Sequence, residues 1–87
     1  MKLKYAFEIV NMGEEQVAVP VGENAGNLSG VLKLNPEGAE ILDMLKQDTT
    51  EDNIVNVLST KYENDRDELG RYVHDIVRKF FEIGILE

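Results

Sequence analysis

The sequence has no cysteine, no tryptophan, two prolines and one histidine in 87 residues. Without cysteine there is no disulfide framework, thiol nucleophile or Cys-ligated zinc site. The lone imidazole, His74, has no second histidine or cysteine with which to build a metal centre or a nucleophile–base pair. Positive charge is also scarce: nine Lys and Arg stand against 17 Asp and Glu, a net −8 with His74 neutral. Sequence-independent nucleic-acid binding needs cations that displace counterions from phosphates, and docking on anionic lipid needs basic clusters. Both partners are disfavoured. No apolar run approaches the ~20 residues of a membrane span. Met1-Lys2-Leu3-Lys4 leads into an alternating segment rather than a signal-peptide core. The expected compartment is the cytosol, with no cofactor and no metal.

What is present suits one domain spanning residues 1–87. Hydrophobic residues make up 43% and charged residues 30%, a globular balance rather than a disordered one. A chain of this size buries only about 60–65% of its unfolded surface, so its core has to be simply patterned.

Residues 5–10 alternate as a half-buried strand, with Tyr5, Phe7 and Ile9 on one face. Asn11 to Glu14 reads as a turn, after which Val17, Val19 and Val21 alternate again. Pro20 lacks an N–H, which places this second strand at an edge or a bulge. Gly22 to Asn27 is a polar, glycine-rich connection. The third strand has Leu28, Gly30, Leu32 and Leu34 on one face and Ser29, Val31 and Lys33 on the other. From Asn35 the period changes to a helical one. Asn35 suits the N-cap and Pro36 the first helical position, with Ala39, Ile41, Leu42 and Leu45 on one face. Thr49 with Asp52 resembles a capping box for a second helix that buries Ile54, Val55, Leu58 and Tyr62. Asp65 with Glu68 opens a third helix whose stripe is Leu69, Tyr72, Val73, Ile76 and Phe80. Gly84 stops it, and Ile85-Leu86 folds back onto the core. The expected class is α+β: a winged helix-like fold with a three-stranded antiparallel sheet followed by three helices.

No catalytic set assembles from these residues. Glu37, Glu40 and Asp43 sit three apart on the first helix, but acid–base work needs carboxylates desolvated in a cleft. A solvated helix face accounts for them. Neither Gly-x-Gly-x-x-Gly nor a P-loop occurs. The Asn27-Leu28-Ser29 sequon is taken as chance. The second and third helices could form a helix–turn–helix, so a winged-helix regulator or DNA- or protein-binding module is the alternative function. Its base-reading helix would present Asp67 and Glu68 to phosphates.

The third helix carries more apolar surface than one core contact requires. With Leu69 as zero, Gly70, Val77 and Phe81 fall at about 80–120°, beside the core stripe, and His74 lies beyond them. Two readings fit: packing within the core, or an apolar wall beside the third strand. An open third strand would let a peptide add to the sheet, its backbone giving affinity and pockets giving specificity. Lys33 is either a solubilising edge lysine or the partner of a peptide carboxylate.

Leu28-Ser29-Gly30-Val31-Leu32-Lys33-Leu34-Asn35-Pro36-Glu37-Gly38-Ala39-Glu40-Ile41-Leu42-Asp43-Met44-Leu45 resembles the core signature of the PqqD family, a strand running into Leu-Asn-x-x-Gly-Ala and a helix. Thr49 to Val55 and Phe80 to Leu86 fit the family's second helix and its ending. The match covers nearly the whole chain, and its specificity lies in the combined order rather than in one motif. The resemblance implies a non-catalytic peptide chaperone that recognises the leader of a ribosomally made precursor. The leader would add as a strand between strand three and helix three and be presented to a modifying enzyme, of the radical SAM type in the namesake pathway to pyrroloquinoline quinone. Another peptide-modifying pathway fits as well. Carried over by position, the binding set is Ser29, Val31, Leu32 and Lys33 from the strand, with Gly70, Arg71, His74, Val77, Arg78 and Phe81 from the helix. A monomer and a homodimer both remain open, because an exposed edge strand pairs with its own copy as readily as with a peptide.

Overall fold

A computed structural model describes residues 1–22 and 32–87. Three strands precede three helices: β1 (Ala6–Met12), β2 (Glu15–Val21), β3 (Leu32–Leu34), α1 (Pro36–Met44), α2 (Glu51–Ser59) and α3 (Arg66–Glu82). The sheet is antiparallel in the order β1-β2-β3. This is the α+β, winged helix-like arrangement expected from the change of hydrophobic period at Asn35. Leu28 to Val31, assigned above to the third strand, and Glu23 to Asn27 of the connection lie outside the described residues.

The β1–β2 hairpin pairs from Ala6 with Val21 to Met12 with Glu15. Its two-residue loop begins with Gly13 at φ 85, and Asn11 Oδ1 accepts from the Gly13 N–H at 3.1 Å. A positive φ at the first loop position is what a hairpin matched to strand twist demands, and glycine supplies it without strain. The expectation that Pro20 marks an edge strand is corrected, because β2 is central. The described part of β3 pairs only with Gln16 to Ala18 of β2. Pro20 therefore sits past that ladder, where its missing N–H interrupts no described bond to β3.

Helix boundaries follow the caps. Asn35 caps α1, its Oδ1 accepting from Gly38 N–H at 2.8 Å, and Pro36 opens the first turn. For α2 the cap is Thr50, not Thr49: Thr50 Oγ1 accepts from Asn53 N–H at 3.2 Å. Thr49 instead accepts from the Asn53 side chain at 2.9 Å. Asp65 caps α3, and Gly84 at φ 82 ends it with the left-handed turn a C-terminal glycine permits.

Ile41, Leu42 and Leu45 of the α1 segment, Ile54 and Leu58 of α2, and Leu69, Val73, Val77 and Phe80 of α3 meet in one buried cluster with Phe7 and Ala18. The fold-back of Ile85 and Leu86 closes it, and Leu86 bridges Leu3. Leu3 is buried by contacts its sequence context does not announce. Its N–H donates to Leu45 O at 2.9 Å, while Lys4 N–H donates to Ile85 O at 2.8 Å. The two ends of the described chain thus brace each other against the end of α1.

Gly38 explains part of the Leu-Asn-x-x-Gly spacing. A Cβ there would lie 3.0 Å from Asn35 Oδ1 and 3.5 Å from a Leu34 methyl. Alanine in a helix normally gains about 1 kcal/mol over glycine. Here the added methyl pushes on the cap oxygen, and loss of such a cap costs ~0.5–2 kcal/mol. Gly38→Ala is therefore expected to lower stability in urea titration by about 1 kcal/mol once the weakened cap and its second hydrogen bond are combined. An unchanged or higher midpoint would show that the cap is not tight.

Candidate peptide-binding groove

Among the described residues, β3 is an edge strand of the sheet, paired on one side with β2. Leu32 and Leu34 are half-buried against the core, and Lys33 between them is exposed. The next residue ties this strand to α3: Asn35 Oδ1, already bonded to Gly38 N–H, also accepts from the Tyr72 hydroxyl at 2.9 Å. Ile76 lies one turn beyond Tyr72, and both are half-buried against the core. Residues four apart share a helix face, so the α3 flank nearest the β3–α1 junction is the Tyr72–Ile76 flank.

The candidate residues of α3 divide differently. Val77 is 2% exposed and belongs to the core, which settles its two readings in favour of packing. His74 Nδ1 lies 2.9 Å from Glu51 Oε1, in the first turn of α2. Gly70, Arg71 and His74 line a surface hollow together with Asp52 and Val55 of α2. That flank is turned to α2, on the side of α3 opposite Tyr72. Arg78 is exposed and lies 3.7 Å from Glu82 on its own helix, and Phe81 is 48% exposed. No described contact places either beside β3. Ser29 and Val31 lie outside the described residues. From the candidate set, Leu32 and Lys33 thus stand on β3, and the α3 residue tied to the end of that strand is Tyr72, through Asn35.

Periodicity alone assigns Tyr72 and Ile76 to the core stripe, and the tie of Tyr72 to Asn35 is not visible in it. The signal that would have found them is spatial, the hydrogen bond from Tyr72 to a residue 37 positions earlier. The Tyr62 hydroxyl, on the far side of Tyr72 from Ile76, donates to Glu40 Oε1 at 3.1 Å. Among the described residues no cluster of His, Asp and Glu could hold a metal, and no helix is long and apolar enough to cross a membrane. The first turn of α3 carries Asp67 and Glu68, a poor surface to lay against phosphates.

The sequence profile described as coenzyme PQQ synthesis protein D (PqqD) matches residues 8–86. The chain belongs to the PqqD family. Among solved structures, it is similar to TbiB1 in complex with the TbiA(beta) leader peptide, with a TM-score of 0.76 and 22% sequence identity. The alignment covers 100% of this chain and 95% of that one, so the two share a fold from end to end. No curated protein matches the chain in sequence.

Burial first, and then the hydrogen bond to Glu40 and the charges of Glu40 and Glu37, push the Tyr62 phenol above its ordinary value of 10.0. An unfolded chain ionises this group sooner than the folded one. Its stabilising contribution is therefore complete below pH ~10 and is lost as pH rises from the unfolded value through the folded one. Tyrosinate absorbance at 295 nm should show one phenol titrating above ~10, and Tyr62→Phe should remove that component. Loss of the component in Tyr72→Phe instead would misassign it.

Proposed function

We propose that this PqqD-family chain is a non-catalytic, cytosolic peptide chaperone. It takes the leader of a ribosomally made precursor as an added strand on β3 and presents it to a separate modifying enzyme, of which a radical SAM enzyme is the leading class. The observation that carries the reading is the β3 edge, with the Tyr72 hydroxyl of α3 bonded to Asn35 at the end of that strand. An edge strand supplies backbone donors and acceptors in register, and a half-buried apolar flank supplies contacts for alternate side chains of the incoming strand. The similar structure, TbiB1, was solved with a leader peptide, and support for the same ligand class here comes from the shared fold. The proposed contact set is Leu32 and Lys33 of β3 with Tyr72 and Ile76 of α3, together with Ser29 and Val31, which lie outside the described residues. Gly70, Arg71 and His74 line a hollow shared with α2 and are left out of this set. Quinone synthesis is one pathway this role fits; maturation of a different peptide is another.

The test uses the leader segment of a short precursor encoded beside this gene, titrated by isothermal calorimetry. Ile76→Asp places a carboxylate on the proposed leader wall and is expected to weaken binding at least tenfold, about 1.4 kcal/mol. Arg71→Ala and His74→Ala, on the other flank, are expected to leave affinity within twofold. The reverse pattern, with Ile76→Asp folded and binding normally, contradicts the groove.

A further inference from the structure

A cavity of about 370 Å³ opens beside the junction of β3 and α1. Its lining includes the apolar residues Leu58 and Leu69, the aromatic residues Tyr62 and Tyr72, and the acidic residues Glu37 and Glu68. No Lys, Arg or His is among its lining residues. Asn35 and Tyr72, which tie β3 to α3, also line it, so it is continuous with the proposed groove. Leu34, the last residue of β3, is followed directly by Asn35. A peptide strand lying along β3 therefore passes the cavity mouth within one or two residues of ~3.3 Å each.

The chemistry of this lining favours one kind of occupant. An apolar side chain would strip water from two carboxylates and return nothing to them, which is costly. An anion would be repelled. A Lys or Arg side chain meets every wall: its methylene stem covers the leucines, its charge faces the carboxylates, and its head stacks on a tyrosine ring. Burial, then Glu40 and Glu37, push the Tyr62 phenol upward, in keeping with this lining. Glu37 and Glu68 lie in the first turns of α1 and α3, where helix dipoles favour negative charge, yet both also border one cavity.

We propose that this cavity is a specificity subsite for one basic side chain of the bound leader, lysine or arginine, held between Tyr62 and Tyr72 by Glu37 and Glu68. The proposal rests on the reading of β3 as the leader-binding edge, which it deepens by naming a required residue class.

The probe is a displayed library of random 15-residue peptides selected on the immobilised full chain. Selected peptides are expected to carry Lys or Arg at one fixed position relative to alternating apolar residues. Selection on the Glu37→Gln, Glu68→Gln double variant, checked for folding by circular dichroism, should retain the apolar spacing and lose the basic position. As a readout that needs no variant protein, a synthetic selected peptide with its basic residue replaced by norleucine should bind the native chain at least tenfold more weakly. Peptides that shift the Leu32–Leu34 amide resonances but show no fixed basic position, or lose nothing with norleucine, overturn the subsite and leave the groove standing. If no selected peptide perturbs those resonances, both readings fall.

Discussion

One side-chain oxygen connects the parts of this protein that matter for binding. Asn35 Oδ1 receives the Gly38 N–H, which starts α1, and the Tyr72 hydroxyl, which fastens α3 to the end of β3. Neutral hydrogen bonds of this kind each contribute only about 0.5–1.5 kcal/mol. Their effect here is geometric. Since Gly38 leaves no Cβ to crowd the oxygen, both donors reach it, and the spacing between strand edge and helix flank is set by a contact at one end. The buried cluster of Leu69, Val73, Val77 and Phe80 then holds the rest of α3 in place.

That arrangement gives α3 two different flanks. The Tyr72–Ile76 flank packs against the core and reaches Asn35 through the Tyr72 hydroxyl, whereas the Gly70–His74 flank meets the acidic first turn of α2 through the His74–Glu51 contact. The charge of the chain follows the same division. Residues 35–65 carry eight acids and two bases, a net −6 of the total −8, and these residues form α1, α2 and their connections. Lys33, exposed on β3, stands outside that acidic stretch.

Much of the fold was legible in the residues. The switch from period two to period 3.6 at Asn35-Pro36, the cap residues and Gly84 mark the elements because local backbone physics decides them. Pro20 misled, because its missing N–H was read as a property of the whole strand, whereas the described β3 ladder ends before it. Thr49 and Thr50 were interchangeable on composition, and only the N–H each side chain reaches distinguishes them. The burial of Leu3 was hidden because its partners, Leu45 and Leu86, lie far along the chain. Strand three beside helix three was read as the place of binding, and the structure puts Gly70, Arg71 and His74 of that reading beside α2. A helical wheel shows that α3 has two shoulders and cannot say which one faces β3. The long-range bond from Tyr72 to Asn35 decides that, and no local pattern encodes it.

The central claim is that a leader adds to β3 as a strand, and backbone amide exchange tests it most directly. Among Leu32, Lys33 and Leu34, the amides not paired with β2 point to the free edge and exchange rapidly in the unliganded chain. Strand addition requires that a saturating leader slow these amides by at least tenfold, while the exposed amides at the start of α2 stay unchanged. A leader that binds tightly yet leaves the β3 edge exchanging at its unliganded rate contradicts strand addition.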